Sequence, residues 1–219
     1  MFRAALLTLS LAACGHSQAP APGQAPAPAQ APAPVPAAAA VPAPAKPRVK
    51  IATNFGVMVI ELEPAAAPAT VANFLRYLKE GHYKGTVFHR VVPNFMIQGG
   101  GLTEDLTEKP VHAPIPNEAE SAAKAGLKNV KGTVVMARTD DPNSATAQFF
   151  INVIDNAYLD PSPGNPGYCV FGRVVEGMPV VEAISRVHTI WRKGTPNVPD
   201  FAVRIKDVVL LEDAAPAAK

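Results

Sequence analysis

From Gln18 to Pro47 the chain is almost wholly Ala, Pro, Val, Gln and Gly, with Lys46 its only charge, and no hydrophobic core can be built from such a stretch. Proline at about every third position favours a polyproline II spacer, whose reach at ~3.1 Å per residue is at most roughly 90 Å. A recognition motif, or a substrate for the domain behind it, is the competing reading. What remains for folding is residues 48–212, roughly 165 positions, enough to bury on the order of 70% of the surface that the unfolded chain exposes. One core without disulfides is expected, followed by a short Ala-rich tail at 213–219. The 20 basic and 18 acidic residues are interspersed along the folding part of the chain and leave a net charge of +2. With no basic stripe, nucleic acid is excluded as an expected partner.

The chain begins M-F-R-A-A-L-L-T-L-S-L-A-A-C-G, one Arg followed by an apolar run too short to span a bilayer. This reads as an export signal. Leu11-Ala12-Ala13-Cys14 resembles the lipobox of bacterial lipoproteins, which implies cleavage after residue 13, acylation of Cys14 and a stalk over residues 14–47. An ordinary signal peptide with a chance cysteine, or a disulfide between Cys14 and Cys169, is the alternative. The expected location is the bacterial cell envelope, anchored in the membrane by lipid and facing the periplasm. Gly15 rather than Asp after the cysteine favours the outer membrane. Cys169 lies in the apolar stretch Y-C-V-F with no C-x-x-C or His partner, and is expected to be a buried, inert thiol.

Beyond Pro47 the pattern changes to short strands. Val49 to Thr53 and Gly56 to Leu62 alternate around Asn54-Phe55-Gly56 and predict a hairpin. A helix follows, with Pro68 in its first turn, Val71, Phe74, Leu75 and Leu78 on one face, and Gly81 ending it. Strands are predicted at Thr86 to Pro93, Phe95 to Gln98, Thr133 to Ala137, Gln148 to Val153, Val170 to Val175 and Val203 to Leu211, with a second helix at about Pro179 to Val187. Many short strands with two helices predict a mainly β fold, barrel or sandwich. The long connections at 99–132 and 160–167 are expected to serve function.

The run F-H-R-V-V-P-N-F-M-I-Q-G-G, Phe88 to Gly100, sets Arg90 and the amide of Gln98 among aromatic and aliphatic residues; Q-F-F-I-N-V, from Gln148, repeats the combination. Alternation puts Phe88 and Arg90 on one face, and Phe95 opposite in parity to Met96 and Gln98 unless the Pro93-Asn94 turn resets the register. One cation and several amides on an apolar surface suit an uncharged, partly apolar backbone. They serve hydrolysis poorly.

At these residues the chain resembles the cyclophilins. The run is followed, in the family's order and spacing, by K-G-T-V-V-M-A-R, S-A-T-A-Q-F-F-I-N-V and Y-C-V-F-G-R-V-V-E-G-M, and the form M-A-R-T-D-D-P-N-S-A-T-A-Q-F-F is similar to the bacterial branch. The resemblance implies an eight-stranded antiparallel β-barrel capped by two α-helices, and peptidyl-prolyl cis/trans isomerase activity on proline-containing, unfolded or partly folded exported polypeptides. It implies Arg90, Phe95 and Gln98 as catalytic. For substrate binding it implies Met96, Ala137, Arg138, Gln148, Phe150, Tyr158, Leu159 and Tyr168. Of these, Phe95, Met96, Phe150 and Leu159 would form the proline pocket, while Ala137 and Arg138 would offer backbone groups to the preceding residue. Arg138 stands where many members have Asn. Tyr158 replaces the Trp of cyclosporin-sensitive members, and Tyr168 a frequent His, so weak inhibition by cyclosporin is expected. No cofactor and no metal are expected, and the protein is expected to be a monomer. A peptide-binding holdase using the same groove, with little turnover, is the other function that fits.

Several features carry blander readings. His89, His112 and His188 lack metal-ligand spacing and are expected to be structural or exposed. Phe149 should be core while Phe150 lines the pocket, and Glu61 and Glu63 should lie on a solvated face. Gly99-Gly100-Gly101 opens no helix and so is not a phosphate loop.

Overall fold

The structure is a computed structural model and describes residues 46–211. Cys14, the leader at 1–13, the tail at 213–219 and all but the last two residues of the stalk lie outside the described residues.

The predicted hairpin forms first in the chain. Strands β1 (Arg48–Thr53) and β2 (Gly56–Leu62) pair from Arg48 opposite Glu61 to Thr53 opposite Gly56. Gly56, at φ 137°, makes the turn, and Thr53 Oγ1 donates to its carbonyl at 2.8 Å. Val49, Ile51, Met58, Ile60 and Leu62 point inward and are completely buried, as period-two alternation requires. Glu61 departs from expectation. It lies opposite Arg48 on β1 and Arg173 on the neighbouring strand, is buried, and takes hydrogen bonds from both guanidinium groups, 2.8 Å from Arg173 Nη2. The arginines cover it, so it belongs to a three-strand ion pair and not to a solvated face.

Helix α1 (Pro68–Lys79) has Pro in its first turn and ends before Gly81, at φ 69°. Its buried face is turned slightly from the predicted one: Val71, Phe74 and Tyr77 are buried with Thr70 and Asn73, while Leu75 and Leu78 are only half-buried. Ala67 at the N-cap has no side chain to offer. Glu118, 48 positions further along, supplies the cap instead, its carboxylate accepting from Thr70 N at 2.7 Å and Ala69 N at 3.1 Å.

The remaining strands of the main sheet are β3 (Arg90–Val92), β4 (Met96–Gly99), β5 (Thr133–Met136), β6 (Phe149–Asn152), β7 (Val170–Glu176) and β10 (Ile205–Leu211). They form one eight-stranded antiparallel sheet in the order β10-β1-β2-β7-β5-β6-β4-β3. The sheet curls until its ends meet, where Phe88 N donates to Val203 O at 2.9 Å and Ile205 N to Thr86 O at 2.8 Å. Inside lies an aromatic core in which Phe74 packs against Tyr83, Phe149 and Phe171 at centroid distances of 4.9, 5.7 and 5.3 Å.

Three elements add to or modify the prediction. A short helix, α2 (Ala119–Lys124), lies within the long 99–132 connection, so that stretch is not structureless. Helix α3 (Met178–Ser185) replaces the predicted Pro179 to Val187 and buries Val181 and Ile184. A hairpin of β8 (Thr189–Arg192) and β9 (Thr195–Pro199) stands apart as its own two-stranded sheet, turned by Lys193 and Gly194 at φ 48° and 79°.

Candidate active site

The tight turn Pro93-Asn94-Phe95, with Asn94 at φ 55°, folds β4 back on β3 and sets Arg90 opposite Gln98 and Val92 opposite Met96. On the next strand Gln98 pairs with Phe150, and Phe150 pairs in turn with Val135 of β5. Arg90, Gln98, Phe150 and Val135 therefore form one row across four strands. Because alternate residues take opposite faces, the row lies on the outer surface of the curled sheet while Val91, Ile97, Phe149 and Val134 fill its interior. Phe88 is the exception to the parity reading. It precedes β3, is not in strand conformation, and belongs to the interior core, so it does not share Arg90's face.

The outer row floors a cleft of about 300 Å³. Met96, Phe150 and Leu159 are buried in its base together with Val135 and Val170, a second apolar cluster separate from the interior one. Phe95 and Tyr158 form one side, their rings stacked at 5.9 Å, with Tyr158 65% exposed. Ala137, Arg138 and Tyr168 form the other, Tyr168 meeting Phe150 edge-on at 5.9 Å. Phe149 is core and Phe150 lines the cleft, as predicted.

The polar groups form a relay. Arg90 Nη1 donates to Gln98 Oε1 at 3.3 Å, and Gln98 Nε2 to Gln148 Oε1 at 2.9 Å. Gln148 is the one predicted contact that does not line the cleft; it stands behind Gln98 and faces an adjoining hollow with Glu108 and Thr146. Gly101 makes room for it, since a Cβ there would run into the Gln148 side chain. Ala137 N donates to Gln148 O at 3.0 Å, so any backbone contact from Ala137 to a bound peptide falls to its carbonyl. The guanidinium of Arg138 lies 4.2 Å over the Tyr168 ring and donates to Gly167 O at 3.1 Å and Thr139 O at 2.7 Å.

Behind the cleft lies a set of residues that the sequence reading missed. Asn156 Nδ2 donates to Phe95 O at 3.1 Å and to Asn152 Oδ1 at 2.7 Å, and Asn152 Nδ2 donates to Thr133 Oγ1 at 3.0 Å and to Asn129 Oδ1 at 3.2 Å. Asp160 accepts from Asn129 N at 2.8 Å. This buried network pins the turn carrying Tyr158 and Leu159 to the β3–β4 hairpin. The spacing of Asn152, at the end of β6, and Asn156, four positions on, was the available signal.

Two titratable groups lie near the cleft without lining it. His89 is buried, its Nδ1 has no hydrogen-bond partner among the described residues, and burial holds its pKa down to about 4, with Arg90 adding to the effect. Cys169 is buried beside Thr70, and burial raises its thiol to about 11, so it is unreactive as expected. His112 is paired with Glu80 at 2.7 Å, and His188 is exposed beside Asp200.

The family model described as cyclophilin type peptidyl-prolyl cis-trans isomerase/CLD matches residues 48–209. The chain is 52% identical over 166 residues to the peptidyl-prolyl cis-trans isomerase cyp18 of Streptomyces antibioticus, a match covering 74% of this chain and 98% of that protein. It is 49% identical over 164 residues to a peptidyl-prolyl cis-trans isomerase of Acinetobacter baylyi, covering 75% and 85%. A crystal structure of a Cryptosporidium parvum cyclophilin type peptidyl-prolyl cis-trans isomerase matches the fold with a TM-score of 0.65 at 27% identity, over 77% of this chain and 99% of that one. A second crystal structure of that protein, in the presence of the dipeptide Ala-Pro, gives a TM-score of 0.64.

Proposed function

Because the chain belongs to the cyclophilin-type peptidyl-prolyl cis-trans isomerases, we propose that its outer cleft holds an Xaa-Pro segment and that Arg90 stabilises the twisted amide. Rotation about the bond meets a barrier of about 18–20 kcal/mol from amide resonance and takes tens of seconds or more unaided. No bond to a nucleophile is made and no proton need move. The observation that carries the reading is the lining of the cleft: an apolar floor, one amide, two phenols and two guanidinium groups, with no carboxylate, imidazole or thiol among the described residues. As the amide twists, the prolyl nitrogen regains a lone pair, and a donor aimed at it binds that state more tightly than the planar one. A guanidinium presents its N–H donors as a planar fork. Among the described residues the Arg90 side chain makes one long bond, to Gln98, which leaves further N–H groups for the substrate.

The proline ring would sit on Met96, Phe150 and Leu159 beside Phe95, with Gln98 on a substrate carbonyl. Each 1.36 kcal/mol of selective stabilisation is worth about tenfold in rate. Arg90→Ala should lower kcat/KM for a Xaa-Pro peptide about a hundredfold, with little change in thermal midpoint. Equal rates in the two proteins would leave a binding groove without turnover.

The N-terminal sequence supports a cellular setting for this activity: a lipid on Cys14, a Pro/Ala spacer, and exported proteins as clients at the periplasmic face of the outer membrane. Metabolic labelling with a fatty acid should mark the wild type and not Cys14→Ser. Labelling that survives the substitution overturns the anchor and leaves the isomerase untouched.

A further inference from the structure

The cleft carries charge of one sign. Arg90 and Arg138 both line it, and among the described residues neither stands within ion-pair distance of a carboxylate. Arg138 is held in place without being neutralised, since its partners are the carbonyls of Gly167 and Thr139 and the face of Tyr168. Acidic groups on segments bordering the cleft are otherwise engaged or face water. Asp160 accepts from Asn129, Asp141 from Asn143 N, and Glu108 in the adjoining hollow is exposed, as is Asp140. A half-buried guanidinium with an unbalanced charge is felt by whatever enters beside it.

We propose that the Arg138 side chain is a specificity determinant, favouring prolines flanked by an acidic residue over those flanked by a basic one. The proposal rests on the isomerase reading of the cleft. It goes beyond a backbone contact at this position, because it assigns the effect to the charge. Two roles for Arg138 can be told apart. As a clamp between Gly167 and Thr139 it would affect all substrates alike; as a charge it discriminates among them. Partly screened pairs of this kind should give about a three- to tenfold preference, weakening as salt rises.

The test is kcat/KM for two peptide series, with Glu, Gln or Lys placed immediately before the proline in one and immediately after it in the other. In the wild type, Glu should exceed Lys about three- to tenfold in at least one series at low ionic strength, with Gln between, and the ratio should fall towards one at high salt. Arg138→Gln should abolish the ratio, whatever it does to absolute rates, and Arg138→Lys should restore it while lacking the planar clamp. Equal Glu and Lys rates in both series, or a ratio that persists in Arg138→Gln, overturns the proposal. Should Arg138→Gln fail to fold, Arg138→Met reads the same ratio without the charge, and either variant separates Arg138 from Arg90, which also lines the cleft. Failure to accelerate any peptide would instead bring down the isomerase reading of the cleft, and this proposal with it.

Discussion

His89 and Arg90 are neighbours in the chain with opposite fates: the cation of Arg90 faces the cleft, while His89 is buried and neutral, its Nδ1 without a partner among the described residues. The unfolded imidazole binds its proton near pH 6.5, whereas the folded one is held down to about 4 by burial. Between these values the unfolded state carries more protons, so stability that is complete above about pH 6.5 is lost as pH falls towards 4. The loss assigned to this group is on the order of 3 kcal/mol. Urea unfolding of wild type and His89→Gln at pH 7 and pH 5 should show the steeper fall in the wild type. Parallel losses would remove His89 from the account. Arg90 and Gln98 stood out in the sequence because a cation and an amide are out of place among strand hydrophobes, whereas Phe150 was named only by the family resemblance. Gln148 looked the same but stands behind Gln98, since strand parity says which face a residue takes and not what stands in front of it. Glu61 was misread for a related reason. Its two arginines come from strands 13 and 112 positions away, and no local pattern announces them.

Elements were recognised where their own residues stabilise them and missed where a distant partner does. The β1–β2 hairpin carries its turn and its alternation within a short window, and α1 carries its proline and its terminal glycine. Helix α2 is only Ala119–Lys124, too short to persist on intrinsic propensity, and is held by buried Ala119 and Ala122. The β8–β9 hairpin has a Lys-Gly turn but exposes Trp191 and buries little on either side, so no period-two signal marks it. Just ahead of α2, Glu118 closes the N-terminus of α1, where Ala67 cannot. Glu118→Ala should therefore cost about 1–2 kcal/mol although it lies outside the helix it stabilises. Chemical denaturation measures this directly, and a loss confined to a few tenths would mean that water caps the helix equally well.

At the scale of the whole molecule, one sheet serves two apolar clusters, the interior core and the floor of the cleft. Adjacent residues of β6 report on them separately. Phe149→Leu should lower stability by about 1–2 kcal/mol and leave kcat/KM of the folded protein near wild type. Phe150→Leu should act chiefly on kcat/KM. Melting curves alongside isomerisation rates would show this crossing pattern, and equal effects of both substitutions on activity would contradict the separation. The mainly β architecture followed from the many short strands, and the eight-stranded antiparallel barrel from the family resemblance. The residues by themselves did not show closure, because the segments that meet, 86–88 and 203–205, are over a hundred positions apart and pair through only a few backbone bonds.

With the outer cleft as the proposed substrate site, the position of the row Arg90, Gln98, Phe150 and Val135 on the convex side of the sheet also decides what shape of client can be served. A site inside the barrel would admit only a chain end or a small molecule, threaded through a mouth. A cleft open along its flank can receive a proline in the middle of a long polypeptide, sideways and without a free terminus. A loop projecting from a half-folded protein could dock, turn about one bond and leave with its remaining structure undisturbed.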